Sequence, residues 1–473
     1  MVRTRIAPSP TGEDIHIGNL YTALINYAFA KKHAGQFIIR IEDTDRERYV
    51  DGSEDRVLQT IKSYGIIYDE GPDIGGPYAP YKQSERLSLY KKYAEQLVEK
   101  GAAYYCFCSK ERLDEIRKKQ IAEKRIPKYD RHCRDVQSSQ LRQGFAGRAE
   151  FGVGSGEKYV IRLKVPDDRD IVFADVIRGK IIINSNTLDD QVLLKSDGYP
   201  TYHLAVVVDD NAMKITHVIR AEEWINSTPK HILLYEAFGW ELPIFTHLPI
   251  LRNPDRSKLS KRKNPVWAAW YLEQGFLPEA VLNYLSLMGW SHPEQKEIFS
   301  LAEFIEKVDL KNFQPVGPSF DIVKLEWMNG EYIRKTQNSK LRTKIFEYYN
   351  KQYPENIIEK TIPLIKERIK KLSDYLPLCE FFFKRPEKHE IDLSNKRDLL
   401  KKMHDALLPI EQWNNRTIGD AMQELAKREG VRTGEFFMIL RVATTGKKIS
   451  PPLNESMEIL GKQECLMRVK ALS

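Results

Sequence analysis

The sequence predicts an α/β protein of several domains: a doubly wound nucleotide-binding part, an inserted strand-rich segment, and an all-helical C-terminal third. Three observations carry this reading. Residues 3–19 set an apolar strand start against a Pro/Gly turn and then a His-Ile-Gly entry into a helix, a nucleotide-binding strand-loop-helix. Buried-strand patterns return at 36–41 and 215–220 with helical periodicity between them. Beyond residue 331 only helical periodicity is found. At 473 residues the chain is too long for one core, and about 150 residues per domain implies three or more.

The first helix rests on Leu20, Ala23, Leu24, Tyr27 and Ala28, which share one face, with Gly35 placed to end it. His16 and Gly18 then sit where helix amide groups lack partners. Unpaired N–H groups and the helix dipole attract phosphate there. Gln36 to Asp45 reads as a strand that gives way to carboxylates, which puts Glu42 and Asp43 beyond the carboxyl end of the sheet, where such folds bind ligands. Helical periodicity follows through 53–65 and 83–100. From 101 to 195 the pattern changes to strands, as in Tyr159–Val165 and Ile181–Ile183, and this reads as an insertion. The doubly wound part resumes at Tyr199 to Asp210 and Ile215 to Arg220. Thr228 is expected to cap a helix that opens with Pro229. Leu248 to Leu251 ends the last strand before a lysine-rich loop, Asp255 to Lys263. Trp267, Trp270, Trp290 and Trp327 are expected to pack cores. The periodicity of Ile362, Ile365, Ile369 and Leu372 predicts a helix through this stretch.

Lys and Arg balance Asp and Glu over residues 1–330, and the net charge of +8 falls wholly on 331–473. A basic domain behind a neutral one points to a polyanion held at a second place. No apolar run approaches the ~20 residues that span a bilayer, and the N-terminus has no signal-peptide layout, so the cytoplasm is expected. Five cysteines, an odd number, with Cys106, Cys108 and Cys133 close together, argue for a reducing compartment and a metal site. Three thiols need a fourth donor for tetrahedral Zn²⁺, and Tyr129, His132 and Asp135 are at hand.

His16-Ile-Gly18-Asn19 together with Lys258-Leu-Ser-Lys261-Arg262 resembles the HIGH and KMSKS signatures of the class I aminoacyl-tRNA synthetases. Arg5-Ile-Ala7-Pro-Ser9-Pro-Thr-Gly with Ile41-Glu42-Asp43-Thr-Asp45 resembles the glutamyl-tRNA synthetases in particular, and the all-helical C-terminal third is similar to the bacterial ones. The resemblance implies a Rossmann-like catalytic domain in two halves, 1–100 and 196–252, and an inserted acceptor-stem-binding domain at 101–195. It further implies a lysine loop and stem-contact region at 253–330 and an anticodon-binding domain at 331–473. The implied activity is ligation of L-glutamate to tRNA-Glu through a glutamyl-adenylate, consuming ATP with Mg²⁺, by a monomer; charging of tRNA-Gln is left open.

On the same resemblance, Arg5, Ala7, Ser9, Glu42, Tyr202 and Arg220 hold glutamate, and His16, Gly18, Glu223, Leu251 and Lys261 hold ATP. Activation is an in-line attack of a carboxylate on the α-phosphorus, so positioning and electrostatics carry it. His16, Lys258 and Lys261 serve as its catalytic groups, the lysines following charge onto the departing diphosphate. A guanidinium meets a carboxylate with two parallel hydrogen bonds, which suits Arg5 to the glutamate side chain, while Glu42 suits the ammonium group. Asp135 is placed as the fourth ligand of a structural Zn²⁺, and Arg368 as the anticodon reader. Asn19 and Val206 depart from residues seen elsewhere in the family. A transferase that glutamylates a tRNA base would resemble only the catalytic half, and a silent RNA-binding paralogue would be expected to lose His16 or the lysine loop.

Overall fold

In a computed structural model, which describes residues 1–134, 158–259 and 265–473, the chain forms two compact units: Met1–Trp270 with Leu282–Asp321, and Tyr271–Val281 with Ile322–Ser473. The first unit opens with β1 (Arg3–Ile6), α1 (Ile17–Lys32), β2 (Gln36–Ile39), α2 (Ser53–Ser63) and α3 (Leu87–Glu99). Residues 101–195 supply β3 (Ala103–Cys106), α4 (Lys110–Ala122), β4 (Val160–Leu163), β5 (Asp170–Asp175), β6 (Gly179–Asn184) and β7 (Val192–Leu194). Then come α5 (Tyr202–Ala212), β8 (His217–Ala221), α6 (Thr228–Phe238) and β9 (Ile244–Leu248).

Two sheets carry the site, a parallel pair β1–β2 and a four-stranded sheet in the order β6-β5-β9-β8. β1 pairs with β2 from Arg3 against Gln36 to Ile6 against Ile39, and β8 pairs with β9. Thr216 N–H donates to the Arg3 carbonyl at 3.0 Å, which sets β1 beside the start of β8. β9 meets β5 at Phe245 and Asp175, and β5 pairs antiparallel with β6. The β5–β6 hairpin, read from the sequence as part of the insertion, therefore extends the sheet of β8 and β9, whereas β3, β4 and β7 form an antiparallel sheet of their own. α1 is apolar nearly all round and buried accordingly, with Leu20, Ala23, Leu24 and Ala28 fully enclosed. Its one fully buried amide, Asn26, donates to the Ile219 carbonyl at 3.0 Å and so ties α1 to β8.

Two helix boundaries differ from the sequence reading. α1 stops through Ala34, which takes the left-handed conformation at φ 49°. Gly35 is needed for a close approach instead: a Cβ there would lie 2.2 Å from the Val2 carbonyl oxygen. Thr228 is the first residue of α6 and does not cap it. Its hydroxyl donates to the Trp224 carbonyl at 3.2 Å and accepts from Arg220 at 2.7 Å.

Past α7 (Ala268–Glu273), α8 (Pro278–Ser286) and α9 (Leu301–Lys307), the second unit is helical, with no strand among its described residues. It comprises α10 (Ile322–Lys335), α11 (Asn338–Tyr348), α12 (Glu355–Ile365), α13 (Tyr375–Cys379), α14 (Arg397–Leu407), α15 (Asn415–Arg428), α16 (Thr433–Thr445), α17 (Leu453–Leu460) and α18 (Lys462–Lys470). α12 contains Pro363 and ends at Ile365, so Ile369 and Leu372 lie beyond the helix that their spacing predicts, yet both are buried in the same core. Of the four tryptophans, Trp290 is a core residue at 2% exposure, while Trp327 is 40% exposed. No described helix is long and apolar enough to cross a membrane.

Gly35→Ala is expected to cost about 1 to 3 kcal/mol, because the added methyl group can be housed only by moving backbone. Urea unfolding followed by circular dichroism measures this, and an unchanged midpoint would contradict it.

Candidate active site and metal centre

His16 is the N-cap of α1, and its Nδ1 accepts the Gly18 N–H at 3.0 Å. The amide expected to await a phosphate is thus already engaged. In the neutral ring this leaves the proton on Nε2, so His16 presents a donor. His16 and Gly18 line a cavity of about 250 Å³ together with Glu223, Leu251 and Lys258. The described residues expected to hold ATP therefore share one cavity. Lys258 reaches Glu223 at 2.5 Å. Lys261 lies outside the described residues.

The described residues on either side of 260–264 are anchored beside this cavity. Leu259 N–H donates to the Leu251 carbonyl at 3.2 Å, and Arg252 bridges to Lys258. On the other side Ile17 N–H donates to the Val266 carbonyl at 2.7 Å, Ala268 N–H donates to the Ile15 carbonyl at 2.9 Å, and Trp267 bridges to His16. Gly12 leaves room for the Trp267 ring, since a Cβ there would sit 2.5 Å from it. Nothing in the spacing of Trp267 revealed this contact.

Beside the cavity lies a buried ionic network built from four elements. Asp210 on α5 accepts from Arg5 of β1 through both oxygens, at 3.0 and 3.1 Å, and from Arg40 at 2.7 Å. Arg40, fully buried, also reaches Glu42 at 3.1 Å and Asp209 at 3.6 Å. Asp209 takes the remaining donors, Arg86, Tyr90 and Gln83, at 2.8 to 2.9 Å. Burial alone would lower Arg5, but Asp210 outweighs it and holds the guanidinium above its ordinary pKa. Burial pushes the Glu42 carboxyl up, against the pull of Arg40. Ala7 and Ser9 run alongside, since Arg40 and Glu42 donate their N–H groups to the Ile6 and Pro8 carbonyls.

Arg220 on β8 is different in kind. It is 5% exposed and makes no ion pair with a described residue. Its Nε donates to His247 at 3.1 Å, one terminal nitrogen to Tyr202 and His231 at 3.2 Å each, and the other to Thr228 at 2.7 Å and the Trp224 carbonyl at 3.4 Å. Every acceptor is neutral. Burial pulls the Arg220 guanidinium below its usual value, consistent with a buried cation that lacks an anion. Tyr202, Glu42, Arg5 and Asp210 act on one another electrostatically with Arg220, so the residues expected to hold the amino acid do share one neighbourhood. Asp209, Asp210, Arg40, His231 and His247 were not singled out as site residues in the sequence. Two adjacent acids in an otherwise apolar helix were the available signal for the first two.

At the entrance to the insertion, the ligand atoms of Cys106, Cys108 and Cys133 all lie within 4.8 Å of one another. Tyr129 joins them, its Oη 3.4 Å from Cys106 Sγ and 3.3 Å from Cys108 Sγ. His132 bonds through its backbone to Asp130, and Asp135 lies outside the described residues. In the second unit Arg368 is exposed in the turn after α12, not on the helix expected, and donates to the Ser450 carbonyl at 2.7 Å. Arg441 converges on the same carbonyl at 3.4 Å.

A family described as tRNA synthetases class I (E and Q), catalytic domain, matches residues 1–327, and an anticodon binding domain family matches 331–472. The glutamate–tRNA ligase of Acidothermus cellulolyticus is 45% identical over 99% of this chain and 95% of its own length. That of Thermus thermophilus is 44% identical over 99% of both. The solved glutamate tRNA ligase of Elizabethkingia meningosepticum, in complex with its amino acid, superposes with a TM-score of 0.85 at 37% identity, covering 100% of this chain and 99% of that one. Catalytic and anticodon-binding parts in this order, over nearly the whole length, mean that the chain belongs to the class I (E and Q) tRNA synthetase family.

Proposed function

We propose that this protein is an ATP-dependent glutamate–tRNA ligase that forms glutamyl-adenylate, transfers the glutamyl group to tRNA-Glu and releases AMP and diphosphate. The observation that carries the choice of glutamate is a charge count. In the buried network Arg5, Arg40 and Arg86 meet Glu42, Asp209 and Asp210, and Arg220 is the fourth cation with no anion of its own. Arg220 therefore presents a positive charge that no acid among the described residues meets directly, and L-glutamate at neutral pH is negative by one, with two carboxylates and one ammonium group. Glutamine is neutral overall. A buried cation without a partner is costly, and a substrate carboxylate removes that cost.

Arg220 then attracts the side-chain carboxylate by its charge, its N–H donors being engaged by neutral acceptors that the carboxylate has to displace for a direct bond, with Arg5 beside it. This shifts weight from Arg5, whose Nε and one Nη are engaged by Asp210. Tyr202 accepts from Arg220, so its hydroxyl proton is available to the same carboxylate. Glu42, with Ala7 and Ser9, receives the ammonium end. ATP and its Mg²⁺ occupy the cavity of His16, Gly18, Glu223 and Leu251. His16 donates through Nε2 to a phosphate oxygen as the carboxylate attacks the α-phosphorus, and Lys258 and Lys261 follow the charge onto the diphosphate.

The finer domain division set out above belongs to the same proposal, with the helical second unit reading the anticodon. That unit is what the base-modifying transferases would lack, and the retained His16 and lysine loop disfavour a silent paralogue. Cys106, Cys108 and Cys133 are the soft donors that suit zinc, and the fourth donor comes from Asp135, as the family resemblance implies, or from Tyr129, whose Oη lies within 3.4 Å of two of the thiols. Bound there, Zn²⁺ fixes the entrance of the insertion and takes no part in the chemistry.

Aminoacylation of tRNA-Glu with glutamate tests the reading. Arg220→Leu is expected to raise the KM for glutamate by about 30-fold or more, the scale of ~2 to 5 kcal/mol for one half of a buried charge pair, with the KM for ATP nearly unchanged. Retained glutamate charging in that variant would contradict the assignment. Lys261→Ala should slow adenylate formation by about 2 to 4 kcal/mol in transition-state stabilisation while ATP affinity changes little; an unchanged single-turnover rate would remove Lys261 from the chemistry. For the metal, elemental analysis of the purified protein should find about one zinc per chain, and less than half an equivalent with no loss of stability on chelation would reject the site. Arg368→Gln should narrow the gap between tRNA-Glu and tRNA-Gln, by about 1 to 3 kcal/mol if one base contact is lost. Equal losses for both tRNAs would make Arg368 a phosphate contact.

A further inference from the structure

We infer that His231 and His247 are specificity-determining positioning residues: neutral acceptors that hold Arg220 in place without cancelling its charge, so that the charge remains for the substrate's side-chain carboxylate. The inference rests on the proposed role of Arg220 in glutamate binding.

The hydrogen bonds fix the protonation of three histidines in turn. Asp175, at the end of β5 and 3% exposed, accepts from the His247 ring at Nδ1, 2.7 Å away, and from the His247 backbone N–H at 2.9 Å. Its other oxygen takes the Ile177 and Arg178 N–H groups at 3.0 and 2.9 Å. Nδ1 of His247 therefore carries the proton, and Nε2 is left as the acceptor for Arg220 Nε. On the opposite side His231 Nδ1 accepts from Arg220, so its proton sits on Nε2 and points to His203 Nδ1 at 3.2 Å. In His231 and His247 the acceptor and the donor are both used, and neither ring has room for a second proton without losing a bond to Arg220 or to its neighbour. Burial works in the same direction. It holds His231 well below its usual pKa, His247 at about 4 even beside Asp175, and His203 at about 3.

The comparison with Arg5 gives the arrangement its meaning. Arg5 is oriented by a carboxylate, Asp210, which also pairs with its charge. Had Arg220 been oriented by an acid in the same way, its charge would be met within the protein and the site would favour a neutral amino acid. Imidazole acceptors give the same geometric restraint at no charge. Asp175 supports Arg220 through His247, with an imidazole ring between its carboxylate and the guanidinium.

Substitutions at His231 separate charge from geometry. Asn places an amide oxygen close to where Nδ1 lies, and Asp places a carboxylate oxygen in the same position. Aminoacylation of tRNA-Glu is measured with glutamate and with glutamine, alongside the KM for ATP and the melting temperature. His231→Asn should hold the glutamate KM within about fivefold, whereas His231→Asp should raise it by about 100-fold and reduce the preference for glutamate over glutamine by a similar factor, with the ATP KM unchanged in both. Equal effects of Asn and Asp would overturn the inference, since a merely structural histidine does not distinguish them. Should His231→Asp fail to fold, His247→Gln against His247→Leu decides the matter: Gln keeps an acceptor for Arg220 Nε and should keep the glutamate KM, Leu removes it and should not, and equal values overturn the inference. Arg220→Leu in the same assay keeps the two questions apart. A glutamate KM unaffected by it defeats the underlying reading of Arg220, while a raised KM together with indistinguishable Asn and Asp variants defeats this inference alone.

Discussion

The site depends on one buried carboxylate, Asp210, which accepts from Arg5 and Arg40 at once. Without it two guanidinium groups from adjacent strands would face each other in a space from which water is excluded. With it, β1, the end of β2 and α5 are held in register by charge as well as by packing, and Arg40 passes the constraint on to Glu42 and Asp209. Such a network is expensive to desolvate and only repays that cost when every member is satisfied. Here it repays it by setting a pocket whose charge is complete except at Arg220. Stability and specificity are thus different ends of one network, the paired end fixing the strands and the unpaired end choosing the ligand.

The second constraint is on the lysine loop. The described residues on either side of 260–264 are pinned by backbone hydrogen bonds, one side to Leu251 just past β9 and the other to the segment around His16. Trp267, seated over Gly12, makes the second anchor rigid where a smaller side chain would leave a gap.

Much of this was legible in the sequence because it is written in local patterns. The strand-turn-helix at 3–19, the apolar strand before Glu42, the helical C-terminal third and the close cysteines all follow from short-range periodicity or spacing. What escaped was long-range. Gly35 looks like a helix stop, yet its role is set by Val2, more than thirty residues earlier in the chain and beside it in space. Thr228 has the residue type and the following proline of a cap, but Arg220 competes for its hydroxyl and wins. Ile369 and Leu372 keep α-helical spacing beyond the end of the α-helix, because burial in one core selects apolar residues whatever the backbone does. His231 and His247 gave no signal at all: a lone histidine on an apolar strand or helix reads as core, and only the fold brings both to Arg220.

Selection of glutamate by one unmatched buried cation is the central claim. Isothermal titration calorimetry of the intact protein with L-glutamate and L-glutamine, repeated in buffers of different ionisation enthalpy, tests it most directly. Because Arg220 stays charged and the histidines stay neutral, glutamate should bind about 100-fold more tightly than glutamine near neutral pH, with no net uptake of protons. Comparable affinities for the two amino acids, or uptake of a proton with glutamate, would show that the pocket's positive charge is supplied on binding and would contradict the account.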